Sequence, residues 1–285
     1  MSIVVENLSH IYMKGSPFQK EALKNVSFTI NSGEFVGIIG HTGSGKSTLV
    51  QHFNGLLKPT SGKVIINGEN ICNKNLRELR KQVGIVFQYP EHQLFEETVY
   101  KDIAFGLVKQ DLDKEIIRDN VISAINSVGL DESILDKSPF DLSGGQKRRV
   151  AIAGVLVMNP SILILDEPTA GLDPKGRDEI FQLIKDLHSI RGITIILVSH
   201  SMEDVAKLVE RVIVMNKGQI EMDGSIKDVF SNIEKLENIG LSAPQITYLM
   251  KRLKQYIPSI RTDIFTVKQA KDEILKHLKA KQKLY

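Results

Sequence analysis

The chain has 285 residues, 42% of them hydrophobic and 25% charged, with a net charge of +3. That balance suits a globular protein of one large domain, or one domain with a small appendage, and excludes collagen-like, low-complexity and disordered classes. No run of about 18 or more apolar residues occurs, which excludes a transmembrane helix.

The opening MSIVVENLSH has neither the basic start nor the apolar stretch of a signal peptide. Cys72 is the single cysteine, so it closes no intrachain disulfide and fits a reducing compartment. Charge is uneven along the chain. Residues 251–285 hold ten Lys/Arg against three Asp/Glu, net +7, which leaves 27 against 31, net −4, for the remainder. A solvated helix face explains such a tail, and so does contact with an acidic partner.

In chain order, short β-prone runs come first: IVVENLSHIYM, LKNVSFTI, EFVGII and KVIINGE. Asn31-Ser32-Gly33 and Thr60-Ser61-Gly62 read as turns, and Asn67-Gly68 as a hairpin. The stretch of about 90–160 is mostly helical in pattern, most clearly at 114–128 and 147–158. Pro139 and Ser143-Gly144-Gly145 punctuate it. Largely apolar runs follow at 162–165, 194–199 and 212–215, as expected of a parallel sheet covered on both faces. Residues 178–190 between them have helical periodicity. From about residue 231 the pattern changes to short helices around Pro244 and Pro258. The fold class is therefore α/β.

Residues 40–48 read Gly40, His41, Thr42, Gly43, Ser44, Gly45, Lys46, Ser47, Thr48, between an apolar strand and a helical run. This fits GxxxxGK[ST], the P-loop. Phosphate oxygens need many donors at close range, and the glycines let successive N–H groups turn inward. Lys46 supplies a point charge, Ser47 Oγ can ligate Mg²⁺, and the helix start adds its dipole. Farther on, the apolar strand 162–165 ends in Asp166 and Glu167. At a strand's carboxyl end beside a P-loop, Asp166 is placed for Mg²⁺ and Glu167 for the water that attacks the γ-phosphate.

Leu142-Ser143-Gly144-Gly145-Gln146 then opens a helix. Small residues at a helix start form an anion site. One chain with one nucleotide does not need two such sites, but a head-to-tail pair does. In this order the motifs closely resemble the ATP-binding-cassette (ABC) transporter family over about residues 1–230. The resemblance implies a RecA-like parallel core, an antiparallel β subdomain and a helical subdomain at about 90–160. Residues 231–285 read as a basic C-terminal extension, for which the resemblance implies a part in pairing. It also implies that Tyr12 stacks on adenine, that Gln88 senses Mg²⁺ and γ-phosphate, that Asp173 lies in the D-loop facing the partner, and that His200 is the switch histidine. ATP and Mg²⁺ are the implied cofactors.

Residues 87–99 (FQYPEHQLFEETV) resemble the Q-loop stretch of energy-coupling-factor (ECF) transporter ATPases, and LFEET resembles their second ATPase subunit. Ile239–Pro244 is similar to that group as well. The resemblance implies an ATPase that energises import of vitamins or transition-metal ions from the cytoplasmic face of the cell membrane, bound peripherally. Its partners would be a second ATPase chain, paralogue or self, a transmembrane coupling subunit, and a separate membrane subunit that selects the solute. Other ABC transporter ATPases and nucleic-acid-associated ABC ATPases share most of the motifs. With one cassette and one cysteine, no nucleic-acid partner is expected.

Overall fold

The computed structural model describes residues 3–110 and 112–282, so the first two residues, Asp111 and the last three of the basic tail lie outside it. Two strands with alternating burial come first, β1 (Ile3–Tyr12) and β2 (Lys20–Ile30). β3 (Phe35–Ile39) is buried throughout and feeds α1 (Lys46–Phe53). A hairpin, β4 (Ser61–Ile66) and β5 (Glu69–Asn70), turns at Asn67 and Gly68. Both have positive φ, 55° and 84°, as a tight two-residue turn between right-twisted strands requires. α2 (Leu76–Gln82) leads to β6 (Val83–Val86). The helical stretch follows as α3 (Val99–Val108), α4 (Lys114–Ser127) and α5 (Gly144–Leu156). β7 (Ile162–Asp166), α6 (Pro174–Arg191), β8 (Thr194–Val198), α7 (Met202–Leu208), β9 (Arg211–Asn216) and β10 (Gln219–Ser225) then alternate. The chain continues with α8 (Ile226–Phe230), α9 (Ile233–Asn238), α10 (Gln245–Leu253) and α11 (Val267–Gln282).

The strands build two sheets. One is antiparallel with order β2-β1-β4-β5; the other has order β10-β9-β3-β8-β7-β6. In the second, β9, β3, β8, β7 and β6 are parallel, and only the edge strand β10 pairs antiparallel. Its strands are apolar on both faces because both are covered. Ile162, Ile164, Ile196 and Ile213 pack toward the four-stranded sheet and α1. Leu163, Leu165, Leu197 and Val212 pack toward the helices. Period-two alternation of side chains divides one run between two cores. A third, small core of Met250, Ile260, Ile264 and Ala270 holds α10 against α11.

Two expected breaks prove to be parts of elements. Ser61-Gly62 starts β4 instead of forming a turn. Gly62, at φ 77°, lies where β1 shifts register between Glu6 and Ser9, and a Cβ there would sit 2.2 Å from the Asn7 carbonyl oxygen. The glycine therefore permits close approach of two strands. Gly144 and Gly145 form the first turn of α5, which starts three residues before the periodic run because Ser143 caps it.

Candidate nucleotide site

Four parallel strands deliver the site. β6, β7, β8 and β3 end along one edge of the sheet, and the residues next along the chain are Gln88, Glu167, His200 and the loop from Gly40. Ligands bind beyond the carboxyl ends of such strands, where the loops diverge. Here they line a cleft of about 960 Å³. Tyr12, Gly40, His41, Thr42, Gly43, Gly45, Lys46, Ser47, Thr48, Gln88, Asp166, Glu167 and His200 all face it.

The loop before α1 is held from behind. Ser44 is wholly buried, stands behind the cleft wall, and accepts a hydrogen bond at its carbonyl from Gly218 N–H at 2.9 Å. Gly45 caps α1 at φ 105°, and a Cβ there would meet the Ala22 carbonyl oxygen at 2.7 Å, so no larger residue fits the turn. Lys46 Nζ donates to Gly40 O at 2.7 Å and His41 O at 3.1 Å, which folds its charge over the loop. Burial lowers the Lys46 pKa, against the opposing pull of Glu167 and Asp166. At the end of β1, Tyr12 closes the far side, its Oη 3.2 Å from Thr48 Oγ1.

Asp166 ends β7 with Oδ2 3.5 Å from Ser47 Oγ. Its pKa is raised by burial and then by Glu167, with Lys46 and Ser47 opposing. Glu167 leaves the strand in the left-handed region at φ 51°, and its N–H donates to Val198 O at 2.9 Å. That turn sends its carboxylate toward His200. Nδ1 of His200 lies 2.6 Å from Glu167 Oε1, and since a carboxylate only accepts, Nδ1 carries the proton. Nε2 is left for the cleft. Tyr89, also left-handed at φ 54°, turns the chain in the same way after Gln88.

Ser143, Gly144, Gly145, Gln146 and Asp173 do not line this cleft. Ser143 Oγ accepts from Gln146 N–H at 3.3 Å, and Gln146 Oε1 accepts from Ser143 N–H at 3.0 Å. This capping box uses lone pairs of the serine and leaves its O–H free to donate. The loop is exposed, and a Cβ on Gly144 or Gly145 would meet nothing within 4 Å. Packing inside the chain therefore does not demand glycine there. Asp173 caps α6, its Oδ1 accepting from Gly176 N–H at 2.7 Å.

A family model described as ABC transporter matches residues 23–170, more than half of the chain. The chain belongs to the ABC transporter family. Among its relatives, the energy-coupling factor transporter ATP-binding protein EcfA2 of Acetivibrio thermocellus is 67% identical over 98% of this chain and 99% of that protein. EcfA2 of Clostridium tetani is 60% identical over 97% of each. A solved structure of cbiO1 from Clostridium perfringens, described as part of the ABC transporter complex cbiONQ, covers 87% of this chain and 98% of its own. It is 43% identical with a TM-score of 0.74. A dimeric ATP-binding cassette in a post-hydrolysis state with ADP and Pi covers 78% of this chain and 98% of its own, at 33% identity and TM-score 0.69.

One residue of this ABC ATPase links the motifs and carries no sequence signal of its own. Arg148 on α5 is 1% exposed. It donates to both carboxylate oxygens of Glu91, at 2.9 and 2.6 Å, and to the carbonyls of Pro168 at 3.2 Å and Ala170 at 2.8 Å. Burial pushes the Glu91 carboxyl up, but the Arg148 bonds and the local backbone pull harder and leave its pKa below the usual value. The segments carrying Gln88, Ser143 and Glu167 are thus tied to one guanidinium.

Proposed function

We propose that this chain is one of two ATPase subunits that power an ECF-type importer of vitamins or transition-metal ions, with ATP held between the two chains. The observation that carries the reading is the position of Ser143–Gln146. This anion-binding helix start is exposed, padded by glycines against nothing in its own chain, and outside its own nucleotide cleft. A second chain, paralogue or self, presenting its cleft there gives the loop a triphosphate to cap. The dimeric cassettes among the structural neighbours support this pairing.

The chemistry follows from the cleft. Backbone N–H groups of residues 40–48 and Lys46 Nζ bind the triphosphate, with Lys46 exchanging its carbonyl partners for phosphate oxygens. Tyr12 offers a ring to adenine. Ser47, Asp166 and Gln88 are all oxygen donors on one cleft, a set suited to a hard cation, and would hold Mg²⁺. When bound, that ion neutralises charge on the β- and γ-phosphates. Glu167 takes a proton from water as its oxygen bonds to the γ-phosphorus and the bond to ADP breaks; His200 positions that carboxylate and the γ-phosphate. ATP and water give ADP and phosphate, and the pair reopens because only ATP favours closure.

Among the described residues no helix is long and apolar enough to cross a membrane, so the membrane steps belong to other subunits. Phe95, Phe105 and Val108 stand 60%, 43% and 64% exposed beside the Q-loop, a surface for a transmembrane coupling subunit. The C-terminal extension carries exposed Leu249, Leu275 and Leu278, which suit contact with the second ATPase. The solute is selected by a separate membrane subunit, the chain sits peripherally on the cytoplasmic face, and nucleic acid is not a partner. Purification of the tagged chain from native membranes tests this. Recovery together with a second ATPase and polytopic membrane proteins is the expected result. Recovery of the chain alone, all of it outside the membrane fraction, would overturn the reading.

A further inference from the structure

Two buried histidines behind the nucleotide cleft play no part in the hydrolysis described above. His52 on α1 is 0% exposed and His10 on β1 is 8% exposed. Their hydrogen bonds settle their tautomers. Nδ1 of His52 lies 2.7 Å from Thr48 O, which only accepts, so that nitrogen carries the proton. Nδ1 of His10 lies 3.1 Å from Lys58 O and is protonated for the same reason. The bare Nε2 of His52, 3.2 Å away, then shares that same His10 Nδ1–H with the Lys58 carbonyl in a three-centre bond. Both rings satisfy this pattern as neutral imidazoles. Burial, helped by His10, lowers the His52 pKa to about 4 despite the Thr48 carbonyl.

The pair leads back to the cleft from both ends. The His10 ring meets the Tyr12 ring edge to face, centroids 4.6 Å apart at 78°. Tyr12 Oη bonds Thr48 Oγ1 at 3.2 Å, and the Thr48 carbonyl is the acceptor for His52. Thr48, Tyr12, His10 and His52 thus form a closed circuit of contacts. Thr48 is two residues from Lys46, so the circuit fixes the tyrosine ring relative to the phosphate loop.

We propose that His10 and His52 are positioning residues that set the distance between the Tyr12 base platform and the phosphate cradle, and so confer preference for a purine nucleoside triphosphate over bare polyphosphate. This rests on the reading of Tyr12 as the surface on which adenine stacks. Both neighbours hold the ring where the base arrives: Thr48 by its hydroxyl and His10 by its ring. Without them Tyr12, already 37% exposed at the end of its strand, turns freely toward solvent.

Binding of MgATP and of magnesium tripolyphosphate to the full chain, measured by calorimetry, tests this. An edge-to-face ring contact sets the scale at about two- to tenfold in affinity. H10A is expected to weaken ATP by that factor and leave tripolyphosphate unchanged. H10N, which keeps a donor for Lys58 O while removing the ring, is expected to do the same and serves if H10A folds poorly. In the H10A/Y12A double variant the His10 effect should vanish. Equal weakening of both ligands by H10A and H10N, or additive losses in the double variant, would overturn the proposal. If Y12A weakens ATP while H10A and H10N do not, only the histidine proposal fails. If Y12A binds ATP normally, the base platform itself fails.

Discussion

Glu167→Gln is expected to bind ATP like the parent chain and to lose most of its hydrolysis, about 10²–10⁴-fold, the usual worth of a general base. The amide keeps the volume of the side chain and still offers an oxygen to His200 Nδ1–H, now 2.6 Å from Oε1. What it loses is the ability to take a proton from water. Asp166, one residue earlier, does not replace it. Its carboxylate sits 3.5 Å from Ser47 Oγ, on the side where the metal would be held. Phosphate release and ATP affinity measured on the same preparation separate the two effects. Turnover at the parental rate would remove Glu167 as the base.

Lys46→Ala is expected to act one step earlier, on binding itself. The ammonium is half-buried and spends its hydrogen bonds on Gly40 O and His41 O, 2.7 and 3.1 Å away. It therefore stands preorganised over the loop where the phosphates arrive. Removing one member of a desolvated charge pair costs about 2–5 kcal/mol, or roughly 30-fold or more in affinity. Burial lowers the Lys46 pKa, and Glu167 and Asp166 lie close enough to oppose that shift, so the variant also leaves two carboxylates facing the phosphates without this cation. Equilibrium binding of ATP reads the loss directly. Unchanged affinity would contradict the phosphate cradle.

Much of this site is legible in the chain because its chemistry demands particular residues at short spacing. Glycines around Lys46, acids at the end of Ile162–Leu165 and a serine before two glycines each do local work, so each leaves a local pattern. The strands were legible as well, since apolar residues on both faces mean cover on both faces. Long-range contacts left no such trace. The Glu91–Arg148 pair joins residues 57 apart, and neither has a neighbour that announces the other. The His10–His52 contact spans 42 residues and depends on the packing that brings β1 and α1 together. The left-handed backbone at Tyr89 and Glu167 is set by tertiary surroundings, because side chains of these types do not favour it. Gly62 reads as a turn in the chain because the close approach it permits belongs to a strand 55 residues away, at Asn7.

Ser143–Gln146 does not line the chain's own cleft, and the proposal of a nucleotide shared between two chains rests on it. Turnover per chain in the purified ATPase assembly should therefore be followed as the protein is diluted, with the oligomeric state measured at each concentration. Activity that disappears in step with the loss of paired chains is the predicted result. A constant rate per chain down to dilutions holding only single chains would contradict it.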